Sequence, residues 1–361
     1  MTCARWLHPC TGRSFELMNK HPKDAERWKK IVRQFSELSV TVLADLVADE
    51  FIFGEIARVS REAPVLILKH RERTVVPGGG ANAVMNLAAL GVNVLPVGVV
   101  GDDEAGSLLL ERLHEKKIPT GGIERLKGHT TTTKTRILAG MSHTSRQQVV
   151  RVDREPEPLD AMHPVLLNLV NAAREYATAS DALLVSDYGY GAATPRLLTF
   201  VKSNGCLENK PITVDSRYRI LDYEGATAAT PNEPEVEEAL GIRIGHDDRK
   251  LFAAGERLMK EMALDCLVIT RGRDGMVAFE KNAEPAAIPI YGSDQVVDVT
   301  GAGDTVIATF TAALAAGADT ASAARLANFA GGIVVMKRGT ATVSSKELMA
   351  AIDQYSATIP A

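Results

Sequence analysis

Short apolar runs alternate with amphipathic segments along most of the chain, and several of the runs end in a polar residue. Apolar strands that alternate with helices are typical of a mostly parallel sheet with helices on both faces, so the sequence predicts an α/β fold. Ligands of such sheets bind at the carboxyl ends of the strands. The predicted strands are 40–44, 92–100, 182–187, 211–215 and 266–270, the predicted helices include 82–90, 162–177 and 248–263, and Asp45, Asp187, Asp215 and Thr270 fall at strand ends.

Two segments interrupt this alternation. Residues 51–76 and 130–152 are rich in β-branched residues that alternate with polar ones, which predicts the strands of a separate small sheet. Because both segments are inserted near the predicted strand ends, we expect them to form a lid that excludes water during a reaction. A peripheral sheet used for oligomerisation is the alternative, and one sheet can serve both purposes.

The N-terminal region divides into two parts. Residues 1–22 have no periodic pattern and are predicted to be a flexible extension. An apolar stripe at three- and four-residue steps then predicts an amphipathic helix, and such a stripe belongs to a core or interface rather than to a ligand site. The stripe consists of Trp28, Ile31, Val32, Phe35 and Leu38.

The composition narrows the functional class. The chain has 361 residues, 45% of them hydrophobic, which is enough for one large domain with an appendage or for two domains. A formal net charge of −4 gives no basic excess, so neither nucleic acid nor an anionic membrane is expected as a partner. No stretch approaches the roughly 20 apolar residues of a membrane span, and no signal peptide is recognisable. Four scattered cysteines do not form a disulfide framework, which favours a reducing, cytoplasmic location.

The sharpest chemical signal is the segment Asp298-Val299-Thr300-Gly301-Ala302-Gly303-Asp304-Thr305, which precedes an apolar helix. A glycine-rich turn at a helix N-terminus presents free backbone N–H groups and the positive end of the helix dipole, which together bind an anion. Asp304 then lies beside that anion site, where a carboxylate can take the proton of an attacking hydroxyl. The alternative is a turn in which an Asp merely caps the helix.

A second glycine-rich segment, Pro77-Gly78-Gly79-Gly80-Ala81-Asn82, also precedes a predicted helix. Its glycines allow a ligand to approach the backbone closely. The Asn82 amide can both donate to and accept from the hydroxyl groups of a sugar. The P-loop pattern and the dinucleotide-binding fingerprint are both absent from the sequence, which argues against those two nucleotide-binding classes.

Together these segments resemble the signatures of the ribokinase (PfkB) family of sugar kinases, from about residue 40 to residue 343. Residues 78–82 match the early signature and residues 298–304 the late one. An Asn-x-x-Glu motif at Asn232-Glu233-Pro234-Glu235 and a Thr-Arg-Gly-x-x-Gly motif at 270–275 lie between them in the family's order. The resemblance implies a ribokinase-like kinase domain over residues 23–361, with a central, mostly parallel sheet flanked by helices and a small β-sheet lid.

The resemblance also implies roles for the matching residues, with ATP and Mg²⁺ as cofactors. Asp304 resembles the catalytic base, and Gly301, Ala302 and Gly303 resemble the anion hole. Glu235 resembles a residue that organises Mg²⁺ through water, while Asp298 and Thr300 are candidates to hold a monovalent cation such as K⁺. The candidate substrate-binding residues are Asp45, Asp49, Gly79, Gly80, Asn82 and Asp187, and the candidate nucleotide-binding residues are Asn232, Glu235, Thr270, Gly272, Gly275, Asn328 and Gly332.

Within this family the chain is most similar to the kinase part of bacterial heptose-phosphate kinase/adenylyltransferases. These enzymes phosphorylate D-glycero-D-manno-heptose 7-phosphate at C1 on the way to ADP-heptose for lipopolysaccharide, and the sequence resembles a kinase-only version. A sugar phosphate requires cations, for which Lys134, Arg136 and Arg151 in the predicted lid are candidates. Ordinary solvated charges are the alternative. The match departs at Tyr190 and at Arg217, where those kinases carry lysines.

Two other functions stay open at this stage. A ribokinase-family kinase for another sugar or for a nucleoside fits the same motifs. A non-catalytic sensor of a sugar or nucleotide is the second alternative, against which the intact Asp304 and anion hole argue. The resemblance further implies a homodimer that forms through the lid sheet.

Overall fold

The computed structural model describes residues 22–140, 147–292 and 297–357. The predicted flexible extension therefore lies outside the described residues, except for Pro22. Three short 3₁₀ helices occur at Phe35–Glu37, Ile220–Asp222 and Gly272–Asp274. The strands are β1 Ser39–Ala44, β2 Leu46–Val59, β3 Leu66–Gly79, β4 Asn93–Gly101, β5 Gly122–Leu126, β6 Thr133–Gly140, β7 Gln147–Arg154, β8 Ala182–Asp187, β9 Ile212–Ser216, β10 Ala228–Ala229, β11 Cys266–Thr270, β12 Met276–Glu280 and β13 Ala286–Ile288. The α-helices are α1 Pro22–Gln34, α2 Gly80–Ala89, α3 Glu104–Glu115, α4 Val165–Ala179, α5 Pro195–Lys202, α6 Glu233–Leu240, α7 Asp248–Glu261, α8 Ala302–Ala315, α9 Thr320–Val334 and α10 Ser345–Ala357.

Nine of these strands form a central sheet in the order β13-β12-β11-β10-β9-β8-β1-β4-β5. The strands from β11 to β5 in this order pair in parallel, whereas β12 and β13 are antiparallel additions at one edge. The predicted apolar strands all lie in this sheet. The carboxyl ends of its parallel strands consequently meet at one edge, as expected for a ligand-binding α/β fold.

Two hydrophobic cores cover the two faces of the central sheet. Helices α1, α2, α3, α8, α9 and α10 pack on one face, and α4, α5, α6 and α7 on the other. Along β8, Leu184 points into the first core while Leu183 and Val185 point into the second. Burial of both faces explains why these strands are apolar throughout instead of alternating with polar residues.

The stripe predicted at the N-terminus belongs to the first core. Trp28 is 3% exposed, and its indole Nε1 donates a hydrogen bond to Ser322 Oγ at 3.2 Å. Its ring also meets Phe329 and Tyr355 with centroid distances of 5.7 and 6.1 Å. The helix is therefore a packing element, and its aromatic side chains have no part in the cleft described below.

Strands β2, β3, β6 and β7 form a separate small sheet in the order β3-β2-β6-β7. The pairs β2–β3 and β6–β7 are antiparallel, while β2–β6 is parallel. The predicted segments fall within this sheet, but β2 already begins at Leu46, whose neighbours up to Phe51 are all buried and so do not alternate. No helix in the described part of the chain is long and apolar enough to cross a bilayer.

Candidate active site

A cleft of about 630 Å³ lies between the carboxyl ends of the central strands and the small sheet. This volume falls within the range of roughly 300–1,000 Å³ that is usual for small-molecule sites. The cleft brings together most of the residues predicted from the sequence. These are Asp49, Gly79, Lys134, Arg136, Arg151, Asp187, Asn232, Glu235, Thr270, Thr300, Gly301, Gly303 and Asp304.

The N-terminus of α8 opens into the cleft. Gly301 caps this helix with φ at +77°, a left-handed conformation that favours glycine, and a Cβ there would lie 2.3 Å from Asn82 Nδ2. A Cβ at Gly303, by contrast, would meet no atom within 4 Å. The first-turn N–H groups of a helix lack intrahelical partners, so this open end can bind an anion.

The carboxylate of Asp304 lies in the first turn of α8 and is only 4% exposed. Asn82 Nδ2 donates a hydrogen bond to Asp304 Oδ2 at 3.0 Å, and the Tyr188 hydroxyl donates to Oδ1 at 2.8 Å. Burial raises the pKa of Asp304 to about 7, although both hydrogen bonds oppose the rise. A carboxylate with such a pKa can exchange a proton near neutral pH.

The orientation of the Asn82 amide follows from a second asparagine one helical turn away. Asn86 Nδ2 donates to Asn82 Oδ1 at 3.1 Å and to the Asn82 carbonyl at 3.0 Å. The amide nitrogen of Asn82 is therefore directed towards Asp304 and the Gly301 carbonyl, which it reaches at 3.2 Å. Asn82 thus supports the base in the free protein.

Asp49 reaches the cleft from β2, in the small sheet. Its carboxylate forms an ion pair with Arg136 at 2.5 Å and accepts a hydrogen bond from the Thr340 hydroxyl at 2.9 Å. A Cβ at Gly78 would lie 2.5 Å from Asp49 Cγ, so this glycine leaves room for the carboxylate. Arg136, predicted to bind a substrate phosphate, is instead paired with Asp49.

Three other cationic side chains face the same cleft. Lys134 is 8% exposed, and its Nζ lies 5.2 Å from the ring centroid of Tyr188. Burial lowers the pKa of Lys134, and the Arg217 and Arg151 charges lower it further. Arg151 forms an ion pair with Asp153, whereas Lys134 and Arg217 form no ion pair with any described carboxylate. The free cations favour an anionic ligand.

A cluster of acidic groups also lines the cleft. Asn232 and Glu235 form a reciprocal capping box at the start of α6, with both hydrogen bonds at 2.9 Å. Burial raises the pKa of Glu235, and burial together with the charges of Glu235 and Asp304 raises the pKa of Asp215 well above its usual range. Carboxylate oxygens that repel one another in a partly buried site are suitable donors for a Mg²⁺ ion.

Two predicted substrate-binding carboxylates already have partners within the protein. Asp45 accepts hydrogen bonds from four backbone N–H groups between residues 188 and 193, at 2.9–3.1 Å. It does not line the cleft, so the expectation that it contacts substrate does not fit the structure. Asp187 lines the cleft, but it is bound by Arg219, Ser216 and Tyr223 at distances from 2.6 to 3.2 Å.

The remaining predicted residues lie outside the lining of the cleft. A Cβ at Gly275 or Gly332 would approach a backbone oxygen to 2.1 Å, and one at Gly80 would lie 2.5 Å from Ala44 Cβ, so packing explains these glycines. Asn328 is 3% exposed on α9. Asp298 accepts hydrogen bonds from the N–H groups of Thr300 and Gly339 and so holds the loop before α8. Ala302 and Gly272 also lie outside the lining.

Sequence reasoning gave no role to three residues of the cleft and its supports, and it named Asp215 only as a residue at a strand end. Tyr188 follows a strand that was predicted, so its position carried a detectable signal. Arg217 follows Asp215 and was noted only as a departure from lysine. Thr340 contacts Asp49 across 291 positions of sequence, and no local pattern indicates that contact.

The model of the pfkB family of carbohydrate kinases matches residues 46–347. The chain belongs to this family. This membership confirms the prediction that the protein is a carbohydrate kinase and the resemblance to the PfkB family that its motifs indicated. Its segments 78–82 and 298–304, which carry the resemblance, converge in the structure, because Asn82 contacts both Gly301 and Asp304.

Curated relatives of this PfkB kinase include two bifunctional proteins named HldE. The one from Trichlorobacter lovleyi is 39% identical over 331 residues, covering 91% of this chain and 66% of its own length. The one from Geobacter sulfurreducens is 40% identical over 317 residues, covering 87% of this chain and 63% of its own length. The chain thus spans less than two thirds of the length of these relatives.

Solved structures confirm the ribokinase-like fold of this PfkB kinase. A ribokinase from Arabidopsis thaliana, complexed with ribose and ATP, superposes with a TM-score of 0.66 at 18% identity, covering 87% of this chain and 98% of its own. Phosphofructokinase-2 from Escherichia coli, in complex with potassium, gives 0.69 at 16% identity, covering 89% and 99%. At these identities the comparison establishes the fold alone.

Proposed function

We propose that this carbohydrate kinase transfers the γ-phosphoryl group of ATP to the C1 hydroxyl of D-glycero-β-D-manno-heptose 7-phosphate. The product is the 1,7-bisphosphate, a precursor in the route to ADP-heptose. The observation that carries the proposal is the arrangement of Asp304 beside the open N-terminus of α8, with the cations Lys134 and Arg217 in the same cleft. Similarity to the HldE proteins supports the choice of sugar.

In the proposed reaction, Asp304 takes the proton of the C1 hydroxyl as that oxygen attacks the γ-phosphorus. The new C1 O–P bond forms while the bond between the γ-phosphorus and the bridging oxygen breaks, and ADP leaves with that oxygen. The first-turn N–H groups of α8, next to Gly303, stabilise the negative charge on the transferring phosphoryl oxygens. Asn82 holds the carboxylate that receives the proton.

The acidic groups that line the cleft suit the metal that accompanies ATP. We assign Mg²⁺ to the region of Glu235 and Asn232, with Asp215 nearby, because these oxygens fit a hard divalent cation. When bound, the ion neutralises phosphate charge. Thr270, which also lines the cleft, is a candidate contact for the nucleotide. A monovalent cation near Asp298 and Thr300 stays a prediction.

The cationic side chains that line the cleft suit a substrate that carries its own phosphate. Lys134 and Arg217 have charges that no described carboxylate neutralises through an ion pair, and the charge of Arg217 lowers the pKa of Lys134. A phosphate between them relieves that repulsion. Arg151 contributes a third charge from β7, while Arg136 orients Asp49 for the sugar hydroxyls.

The small sheet is proposed to act as a lid, because Asp49, Lys134, Arg136 and Arg151 all reach the cleft from it.

The outer strand of this sheet, β7, is exposed along its whole length. Valines 59, 65, 149, 150 and 152 are between 42% and 58% exposed. Such an apolar surface supports the proposed homodimer through this sheet, and we further propose a cytoplasmic location.

A substrate panel tests the proposal. The purified protein is incubated with ATP, Mg²⁺ and, separately, heptose 7-phosphate, unphosphorylated heptose, ribose, fructose and fructose 6-phosphate, and ADP release is measured. We expect the highest kcat/KM with heptose 7-phosphate and a new anomeric phosphate signal in ³¹P NMR. Higher kcat/KM with another sugar would reject the heptose assignment but retain the kinase. ATP binding without transfer to any acceptor would favour a sensor.

The base has its own test. Asp304→Asn removes the proton acceptor but keeps a similar shape, so kcat is expected to fall by about 10²–10⁴-fold, the range of general base catalysis. Binding of ATP, measured by calorimetry, should change little. A kcat near that of the wild type would reject Asp304 as the base.

A further inference from the structure

One phenol hydroxyl reaches the carboxylate to which we assign proton abstraction. Tyr188 donates to Asp304 Oδ1 at 2.8 Å, and Asn82 Nδ2 donates to Oδ2 at 3.0 Å. Each oxygen of the carboxylate therefore has one donor from a different part of the fold. The amide belongs to a segment that the sequence had singled out, whereas no motif assigned a role to the phenol.

We propose that Tyr188 is a positioning residue that keeps the Asp304 carboxylate ionised and correctly oriented to take the substrate proton. The inference rests on the proposed role of Asp304 as the base. It extends that role to the loop after β8, which belongs to neither glycine-rich segment. A donor on Oδ1 stabilises the negative form of the carboxylate, while the second lone pair of each oxygen remains open to a substrate hydroxyl.

The position of Tyr188 is fixed from several directions. Its backbone N–H donates to Asp45 Oδ2 at 2.9 Å, and Asp45 accepts three further N–H groups from the same loop. Its ring lies beneath Lys134 Nζ, and a Cβ at Gly79 would stand 3.3 Å from Tyr188 Cε2. The buried Asp45 thus holds the loop that delivers the hydroxyl, which accounts for a carboxylate that does not itself reach the cleft.

Several charges act on Asp304 besides this hydroxyl. Asp49 from the small sheet raises its pKa, Lys134 lowers it, and Asp215 at the end of β9 is a further acidic neighbour. Burial is the largest influence and brings the pKa to about 7. Loss of the Tyr188 hydrogen bond removes one of the influences that oppose burial, so the pKa of Asp304 should rise.

The phenol itself stays protonated in any practical assay. Burial raises the pKa of Tyr188 well above its usual range, and the charges of Asp304 and Asp215 raise it further. Tyr188 can therefore act as a donor throughout the pH range in which Asp304 titrates. It does not compete with Asp304 as a base, because a phenolate would have to form next to carboxylates.

The chain offers a matched control two residues away. Tyr190 lies in the same loop as Tyr188. Its hydroxyl donates a hydrogen bond to Glu155 Oε1 at 2.6 Å, so it also bonds a carboxylate, but not that of Asp304. Tyr190→Phe and Tyr188→Phe delete the same atom. Only the second change removes a hydrogen bond to the proposed base.

The test is the pH dependence of kcat/KM between pH 5 and 9 for the wild type and both variants, with the sugar that the panel identifies. In Tyr188→Phe the apparent pKa of the acidic limb, which is the fall in kcat/KM at low pH, should rise by about one unit, because one hydrogen bond to the charged form of Asp304 is lost. Its kcat/KM should recover towards the wild-type value at pH 9. Tyr190→Phe should leave the limb in place.

A second substitution gives the opposite sign and keeps the ring in place. Site-specific 3-fluorotyrosine at position 188 is a stronger donor, so it should move the acidic limb to lower pH. The inference would be overturned if the acidic limb of the pH profile were unchanged with both Tyr188 substitutions, or if kcat/KM fell equally at every pH. If Tyr188→Phe does not fold, as judged by thermal melting, the fluorinated protein alone decides. Failure of the proposed role of Asp304 can be distinguished from failure of this inference, because the Asp304→Asn variant would then remain active.

Discussion

Replacement of Lys134 by methionine tests whether the cleft binds the phosphate of a sugar phosphate. Lys134 is 8% exposed, lies on β6 of the small sheet and has no described carboxylate within ion-pair distance. Methionine retains most of the length of the side chain and removes the charge. Because the side chain is buried against Tyr188, its uncharged replacement should still fill the space without opening a cavity.

The size of the effect can be bounded from two sides. Two unit charges about 4 Å apart attract by about 4 kcal/mol at an effective dielectric constant near 20, before any desolvation cost is subtracted. A hydrogen bond to a charged group contributes a net 1.5–3 kcal/mol, roughly. A loss of about 2 kcal/mol is therefore expected, which corresponds to about a 30-fold weaker Kd for heptose 7-phosphate.

The informative quantity is a ratio of two affinities. Lys134 also lowers the pKa of Asp304, so its loss affects catalysis with every sugar. Calorimetry with heptose 7-phosphate and with unphosphorylated heptose, both without ATP, separates the two effects. Kd for the phosphorylated sugar should rise about 30-fold and Kd for heptose less than about threefold.

Two further variants serve as controls. Lys69→Met removes a charge from an exposed position on β3 of the same sheet and should leave both affinities unchanged. Arg136→Met removes the partner of Asp49, so it should weaken both sugars to a similar extent. An equal loss of affinity for the two sugars in Lys134→Met would refute the assignment of Lys134 to the phosphate.

Two predictions concern α8. Gly301→Ala should lower the unfolding free energy by at least about 1–2 kcal/mol in chemical denaturation, because φ is +77° and the added Cβ meets Asn82. The matched Gly303→Ala should not lower stability, because its Cβ meets no atom and alanine favours the helix, but it should raise KM for ATP. Equal stabilities would contradict the packing argument. The folded pKa of Asp304 is about 7 against 3.8 in an unfolded chain, so folding takes up protons and this group's contribution to stability falls as pH rises from about 4 to 7. The unfolding free energy of Asp304→Asn should therefore increase relative to that of the wild type, by up to about 4 kcal/mol, as the pH rises from 4 to 8. A difference that stays constant with pH would show that Asp304 titrates normally.

Much of the fold was predictable because its signals are local. The central strands are buried on both faces, so residues 182–187 and 266–270 read as apolar runs whatever their partners are. The start of β2 was missed for the same reason, since residues 46–51 are covered on both faces and lack the alternation expected of a half-exposed sheet. A local sequence pattern indicates well whether a strand is buried, but it indicates poorly which sheet the strand joins.

The candidate site was predictable where one segment carries the chemistry. The turn at Gly301 and the base at Asp304 are neighbours in sequence, so spacing alone brought them together. The partners of the carboxylates were not predictable, since Arg136 and Thr340 reach Asp49 across 87 and 291 positions. Asp45 was assigned to the substrate because a carboxylate at a strand end has the same sequence signal whether it binds a ligand or a loop.

Asp304 draws its properties from three parts of the fold, and this division explains why no single segment defines the base. Burial by the body of the protein raises its pKa, while Asn82 on α2 and Tyr188 after β8 lower it. Without the two donors, burial would leave the group protonated near neutral pH and unable to accept a proton. With the donors but no burial, its pKa would fall to 3.8 or below, where a carboxylate is a weak base. A pKa of about 7 therefore reflects all three, together with the charges of Asp49 and Lys134, and the supports of the base are as much a part of the site as the carboxylate.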